Sequence, residues 1–261
     1  MFNWVENLGK IIIYGTRSLK ETFTFAFLIV AGLFRSQTYN SASYIVLLHQ
    51  IYFTAIQVLP LFLTMAAVIG FLLTGIFLHN LKELGLAAHF GRVIMGFVVT
   101  ELSPFLTVLL IALRSSSAIN AEIATMKVNK ELNTLETFNI DLISYLFVPR
   151  VVAGMVSVLL LSGLFAIVLL ISGFLSSRLL FGMSLNEYGN TLLNSAKLTD
   201  IFILLIKCFI FGFFIILIPI YSGINATYEL TSIPVAVLRG MVRIFIAIIV
   251  IEVLSLIARF A

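Results

Sequence analysis

The sequence predicts an all-α integral membrane protein: N-terminal interfacial helices, then five transmembrane helices, with a cytoplasmic helical segment between the second and third spans. Three observations predict it. Of 261 residues, 61% are hydrophobic and only 11% charged, with a mean hydropathy of +1.15. Soluble domains carry about a quarter charged residues, so this chain needs lipid as its solvent. Five stretches reach the roughly 20 apolar residues that cross a bilayer core. A charged, helix-prone run, AEIATMKVNKELNTLE from Ala121 to Glu136, sits between two of them.

Each element follows in order. Residues 23–34 are apolar for only about a dozen positions, too few to cross, and are flanked by Lys10, Arg17, Lys20 and Arg35. They read as one or two helices lying in the interface, with Trp4 and Tyr14 at headgroup depth, within an interfacial region of residues 1–45. No small-residue cleavage site follows an apolar run, so no removable signal peptide is expected. Residues 51–78 form the first span and are long enough to tilt. On it Ala66, Gly70 and Thr74 recur every four residues, a small-residue face that suits close contact within one chain or between two copies. Phe62, Phe71, Leu72, Phe77 and Leu78 add bulky apolar surface, more in keeping with lipid than with a ligand. The second span, 93–113, contains Glu101 and Pro104. The third, 151–177, contains Gly154, Gly163 and Gly173. The fourth, 201–221, contains Lys207 and, near its end, Pro219. The fifth, 242–258, is the shortest and contains Arg243 and Glu252.

Loop lysines and arginines orient the bundle. With the N-terminus inside, Lys10, Arg17, Lys20, Arg35, Arg114, Lys127, Lys130, Arg150, Arg239 and Arg243 fall inside. Lys82, Arg92, Arg178, Lys197 and Arg259 fall outside. The inner excess places the N-terminus and residues 114–150 in the cytoplasm and the C-terminus outside. Within 114–150, Ile119, Ile123 and Met126 share one helical face. Val128, Leu132 and Leu135 share a nearly opposite one, so two short helices bent near Val128 and Asn129 fit better than one. Such a segment suits docking on a soluble partner, and equally a solvated helix resting on the bilayer.

The chain offers little for enzymatic chemistry. His49, His79 and His89 are far apart and have no ligand at metal-binding spacing, so no metal site is expected. There is no phosphate-cradling G-x-x-x-x-G-K-[ST] loop. The net charge of +4 is scattered, which argues against nucleic acid. Cys208 is the one cysteine, so no disulfide framework exists. Intramembrane charges remain. A carboxylate at mid-span costs about 2.5–3.5 kcal/mol on insertion scales, so Glu101 must face protein or water, or be protonated. Pro104 frees a carbonyl one turn earlier and kinks the helix. Lys207 can pair with Glu252, pair with Glu101, or reach outward along its stem; sequence leaves all three open.

The run Thr100 to Glu136 resembles the signature region of the MlaE/YrbE permease family, the membrane subunits of Mce-type ABC lipid transporters. Glu101, Leu102 and Pro104 match an acidic-Leu-x-Pro pattern. Ala121, Glu122, Ile123, Met126, Glu131, Leu132, Leu135 and Glu136 match the segment that follows. Length, span count and the interfacial region agree too. Lys207 in LLIKCF and Gly223 in YSGINA stand where the family usually has Lys and Gly. Departures are Thr100, where an Arg often precedes the Glu, Ser103 for a Gly, LRSSSA for a Gly-Arg-Ala-Gly-like turn that keeps Arg114, and His49 for an Arg.

The resemblance implies one permease domain over 1–261, with five spans in 46–261 and a coupling segment in 114–150. It implies a homodimer in the bacterial inner membrane, a cytoplasmic ABC ATPase that holds ATP and Mg, a STAS-domain protein bound to that ATPase, and a periplasmic Mce-domain protein. The cargo it implies is phospholipid, moved between inner and outer membranes. No cofactor is expected in this chain. It makes 121–136 a coupling helix, with Glu122, Met126, Lys127, Glu131, Leu132 and Glu136 as contact residues. It places a lipid pathway along Gly70, Phe71, Leu72, Thr74, Phe77, Leu78 and Ile249; Glu101, Pro104, Lys207 and Glu252 stand beside it as the intramembrane polar positions read from the residues themselves, Pro104 through the carbonyl it frees. Two other readings stand beside it. One is a self-sufficient ion-coupled carrier or channel using the intramembrane charges, although no internal repeat of the kind common in carriers is visible. The other is a non-transporting membrane scaffold.

Overall fold

A computed structural model describes residues 21–35 and 41–260. Trp4, Lys10, Tyr14, Arg17 and Lys20 lie outside the described residues. Among those described, all regular structure is helical. We label the helices α1 (Glu21–Leu33), α2 (Ser43–Glu83), α3 (Ala87–Val128), α4 (Glu131–Thr137), α5 (Ile143–Phe181), α6 (Leu185–Leu193), α7 (Leu198–Ile224) and α8 (Ser232–Arg259). Five of these, α2, α3, α5, α7 and α8, are long and apolar enough to cross a membrane. The short apolar helix expected before the first span is α1.

The spans are longer than the apolar runs that mark them. The run 51–78 sits inside α2, and 93–113 inside α3. A helix satisfies its own backbone, so it continues into the polar zone wherever side chains allow. Residues 114–128 are therefore the end of α3 itself, not a separate short helix. The expected bend is present just beyond. Lys130 takes a left-handed conformation (φ 61°) and α4 starts at Glu131.

Prolines shape these helices. Each lacks an N–H and crowds the carbonyl four residues earlier. Wide π-helical turns cover Tyr52–Ile56, Ile94–Leu102 and Ile143–Phe147. They contain Ile56, Thr100 and Tyr145, which are four residues before Pro60, Pro104 and Pro149; such turns absorb the misfit. At Pro219 the freed carbonyl is that of Ile215, and the Ser116 hydroxyl of α3 donates to it at 2.9 Å. Ends are capped locally. Asp141 accepts from the Ile143 backbone N–H and the Ser144 hydroxyl at the start of α5. Gly182 ends α5 with φ +68°, a conformation open to glycine at little cost. Ser184 accepts from Glu187 N–H at the start of α6, one half of a capping box.

Helix α5 is central, packed against α2, α3 and α7. The α2–α5 contact runs through the small-residue face. A Cβ added at Gly70 would lie 2.2 Å from Ser172 Oγ, and one at Gly173 would lie 2.4 Å from Thr74 Oγ1. That face is thus used within the chain. The α5–α7 crossing rests on Gly154 and Gly212, where added Cβ atoms would come 2.1 Å from Ile216 and 2.5 Å from Met155. Near α4, three helices are knotted together. Asn120 of α3 and Ser222 of α7 both donate to the Ala236 carbonyl of α8, at 3.1 and 2.8 Å. Gly240 leaves room for Asn120, whose Nδ2 would sit 2.0 Å from a Cβ there.

Candidate functional site

The first three intramembrane charges meet at one place. The π-helical stretch of α3 carries Glu101 into the bundle, where it is 3% exposed. Lys207 of α7, also 3% exposed, forms an ion pair with Glu101 Oε2. Its ammonium also hydrogen-bonds Glu252 Oε1 at 2.9 Å and lies 2.8 Å from Oε2. One cation thus joins carboxylates from two other helices. Desolvating such charges costs several kcal/mol per ion unless the geometry returns it in pairing and hydrogen bonds. Lys207 therefore does not reach outward; it is fully engaged.

Two further residues complete the cluster. Arg259, at the end of α8, donates to Glu101 Oε1 at 2.9 Å, to Asp200 Oδ1 at 3.1 Å and to the Gly96 carbonyl. Gly96 permits this approach, since a Cβ there would stand 2.9 Å from Arg259 Nη2. The result is one chain, Asp200–Arg259–Glu101–Lys207–Glu252, running from the start of α7 and the end of α8 into the bundle. Three carboxylates face two cations. Thr100 stands where the family often has an Arg, and the guanidinium on Glu101 comes instead from Arg259. The Thr100 hydroxyl turns back to the Met95 carbonyl at 2.8 Å. Sequence reading missed Asp200 and Arg259. The signal was available: Asp200 is seven residues before Lys207 and Arg259 seven after Glu252, two turns along the same face of each helix.

At the opposite end lies the charged segment. Glu122 is held by Arg150 at 2.7 and 3.1 Å, a two-point pair in which Arg150 is buried. Lys127 stands 5.1 Å over the Tyr228 ring. Asn133 and Lys127 beside the Tyr228 hydroxyl hold that phenol below its ordinary value. Leu132 is buried and Met126 half-buried, while Glu131 and Glu136 face outward. Glu131 accepts from Asn129 at 3.1 Å. The outward surface of α4 is therefore acidic.

The residues expected along a lipid pathway separate into three groups. Gly70, Thr74 and Leu78 are buried, and Gly70 and Thr74 pack against α5. Leu72 and Ile249 are exposed, at 53% and 58%. Phe71 and Phe77 are half-buried, with Phe77 edge-on to Phe97. Only the second group and the two half-buried rings have surface to offer a lipid.

The chain has relatives among known proteins. The model of the family described as Permease MlaE matches residues 47–258. A protein of Synechocystis named a probable ABC transporter permease is 33% identical over 167 residues, 62% of this chain and 64% of that protein. One of the same description from Rickettsia felis is 26% identical over 223 residues, 85% of each chain. The Arabidopsis thaliana chloroplast protein TRIGALACTOSYLDIACYLGLYCEROL 1 is 31% identical over 183 residues, 69% of this chain and 52% of that protein.

Proposed function

This chain belongs to the MlaE permease family, and from that premise we propose that it is the membrane subunit of an ABC transporter that moves phospholipid between inner and outer membranes. ATP hydrolysis belongs to a separate cytoplasmic ATPase, which docks on α4 and the end of α3. The remaining arrangement follows the family: a homodimer in the inner membrane, N-terminus cytoplasmic, C-terminus periplasmic, an Mce-domain protein outside and a STAS-domain protein on the ATPase.

The observation that carries this reading is α3. One continuous helix holds Glu101 in the bundle at one place and the charged segment at its other end. Asn120, on the same helix, is bonded to the Ala236 carbonyl that Ser222 also reaches. A displacement of α4 by a closing ATPase would reach α3, then α7 and α8 through that knot. The far ends of the same helices are tied by Lys207, Glu101, Glu252 and Arg259. A push at one end thus changes the geometry of the charge network at the other. Long apolar spans, with Leu72 and Ile249 outward, suit acyl chains. Each methylene is worth only about 0.8 kcal/mol, so broad tolerance of tail length is expected.

The test is transfer of a fluorescent phospholipid from proteoliposomes holding the chain with its co-expressed ATPase. ATP-dependent transfer supports the reading. Transfer driven by a proton gradient without ATP would favour the ion-coupled carrier. The observation on that side is the unbroken row of ionisable groups from Asp200 to Glu252.

A further inference from the structure

A second cluster of charges lines a cavity to which the transport reading assigns no ligand. It lies between α2, α3 and α5, in the half of the bundle that carries α4, away from Lys207. Its volume is about 620 Å³, within the range of ligand pockets. His49, Gln50, Phe53, Arg114, Glu122 and Arg150 line it.

Its charge is settled by pairing. Arg150 spends both terminal nitrogens on Glu122, so that pair is neutral. The buried Arg150 Nε–H has no acceptor among the described residues, which leaves the wall electropositive. Arg114 is exposed and gives one Nη1–H bond to the Gln57 carbonyl at 2.9 Å. A guanidinium has five N–H donors, so among the described residues most of this fork is unspent. Arg114, Arg150 and Glu122 together carry one formal positive charge, and the Gln50 amide and His49 ring add polar atoms. Beside them Ile45, Phe53 and Leu113 are more than half exposed. A single positive fork next to an apolar wall matches a monoanionic phosphate carried on an apolar tail, since guanidinium and phosphate oxygens pair at two points.

We propose that this cavity binds the phosphate group of an anionic amphiphile, with Arg114 as its principal ligand and the Arg150–Glu122 pair as a fixed wall. A bilayer phospholipid is the source within reach of the apolar wall; the transport reading enters only in naming that source. The site is distinct from the surface that Leu72 and Ile249 offer.

The test is photolabelling of the purified chain in nanodiscs, without any ATPase, so that it stands apart from the transport assays. A phosphatidylglycerol with a diazirine on its tail is compared with a diacylglycerol bearing the same tail and no phosphate, and labelled peptides are mapped. The phospholipid should label residues 45–57 and 113–119. Arg114→Gln should lower that labelling about tenfold, the worth of a charge-assisted bond, and leave labelling of α8 unchanged. Arg114→Lys should fall between. Persistence of labelling in added inorganic phosphate assigns the site to bilayer lipid; loss of labelling supports the phosphate site and assigns it to a soluble source. Equal labelling by diacylglycerol, or full labelling in Arg114→Gln, overturns the proposal.

Discussion

Lys207 is the residue on which the network turns, because among the described residues it alone touches both Glu101 and Glu252. Removing it leaves Glu252, half-buried in the bundle, without its cation, a loss of up to about 3–5 kcal/mol by the measure of broken buried pairs. Lys207→Met should lower unfolding stability in detergent by that order. Glu101→Gln keeps the shape and leaves Lys207 on Glu252. Its stability cost should be smaller, about 1–3 kcal/mol, while transport slows; equal transport rates would make Glu101 purely structural. Tyr188 gives a pH test outside the spans. Its hydroxyl donates to the Leu170 carbonyl at 3.1 Å, and burial pushes the phenol up to about 12 from 10.0. Between those values the unfolded chain loses a proton that the folded chain keeps. The stability tied to that proton is whole below pH 10 and is lost as pH rises to 12. Tyr188→Phe should flatten that fall, and an unchanged slope would contradict it. Glu101, Lys207 and Glu252 were legible in the sequence because a charge inside an apolar run is visible at once. Asp200 and Arg259 are easily passed over, because they sit at the ends of runs, where charges are ordinary; only their seven-residue spacing from Lys207 and Glu252 marks them.

At the scale of elements, close crossings rest on glycines whose hydrogens face a neighbouring helix. Gly154→Leu would drive a side chain into Ile216 and should destabilise the protein by about 1–3 kcal/mol or more. A methyl group on Gly163 would meet nothing within 4 Å, so Gly163→Ala should be neutral or stabilising by up to about 1 kcal/mol. Detergent unfolding of the pair checks both, and equal effects would contradict the packing described. Gly70→Leu should likewise separate α2 from α5 within one chain. Five spans could be counted from composition because hydrocarbon tolerates few charges. Their lengths could not, because α2 and α3 extend past the apolar core on backbone bonding alone. Nor could periodicity say whether Gly70 meets its own chain; only the position of Ser172 decides that.

Across the whole molecule, one end holds an exposed acidic surface and the other a locked charge network, and α3 joins them. Glu131 faces outward on α4 and, among the described residues, makes only a local bond to Asn129. Reversing its charge should leave the fold intact and break contact with a partner. The measurement that tests this most directly is affinity purification of the chain from native membranes in mild detergent, with ATPase activity and mass spectrometry of the eluate, repeated for Glu131→Lys. An ATP-binding subunit is expected in the wild-type eluate, with hydrolysis that is lost in the variant. A chain that purifies alone and without nucleotide hydrolysis, under conditions that keep other membrane complexes whole, would contradict the docking role of α4 and the coupling along α3.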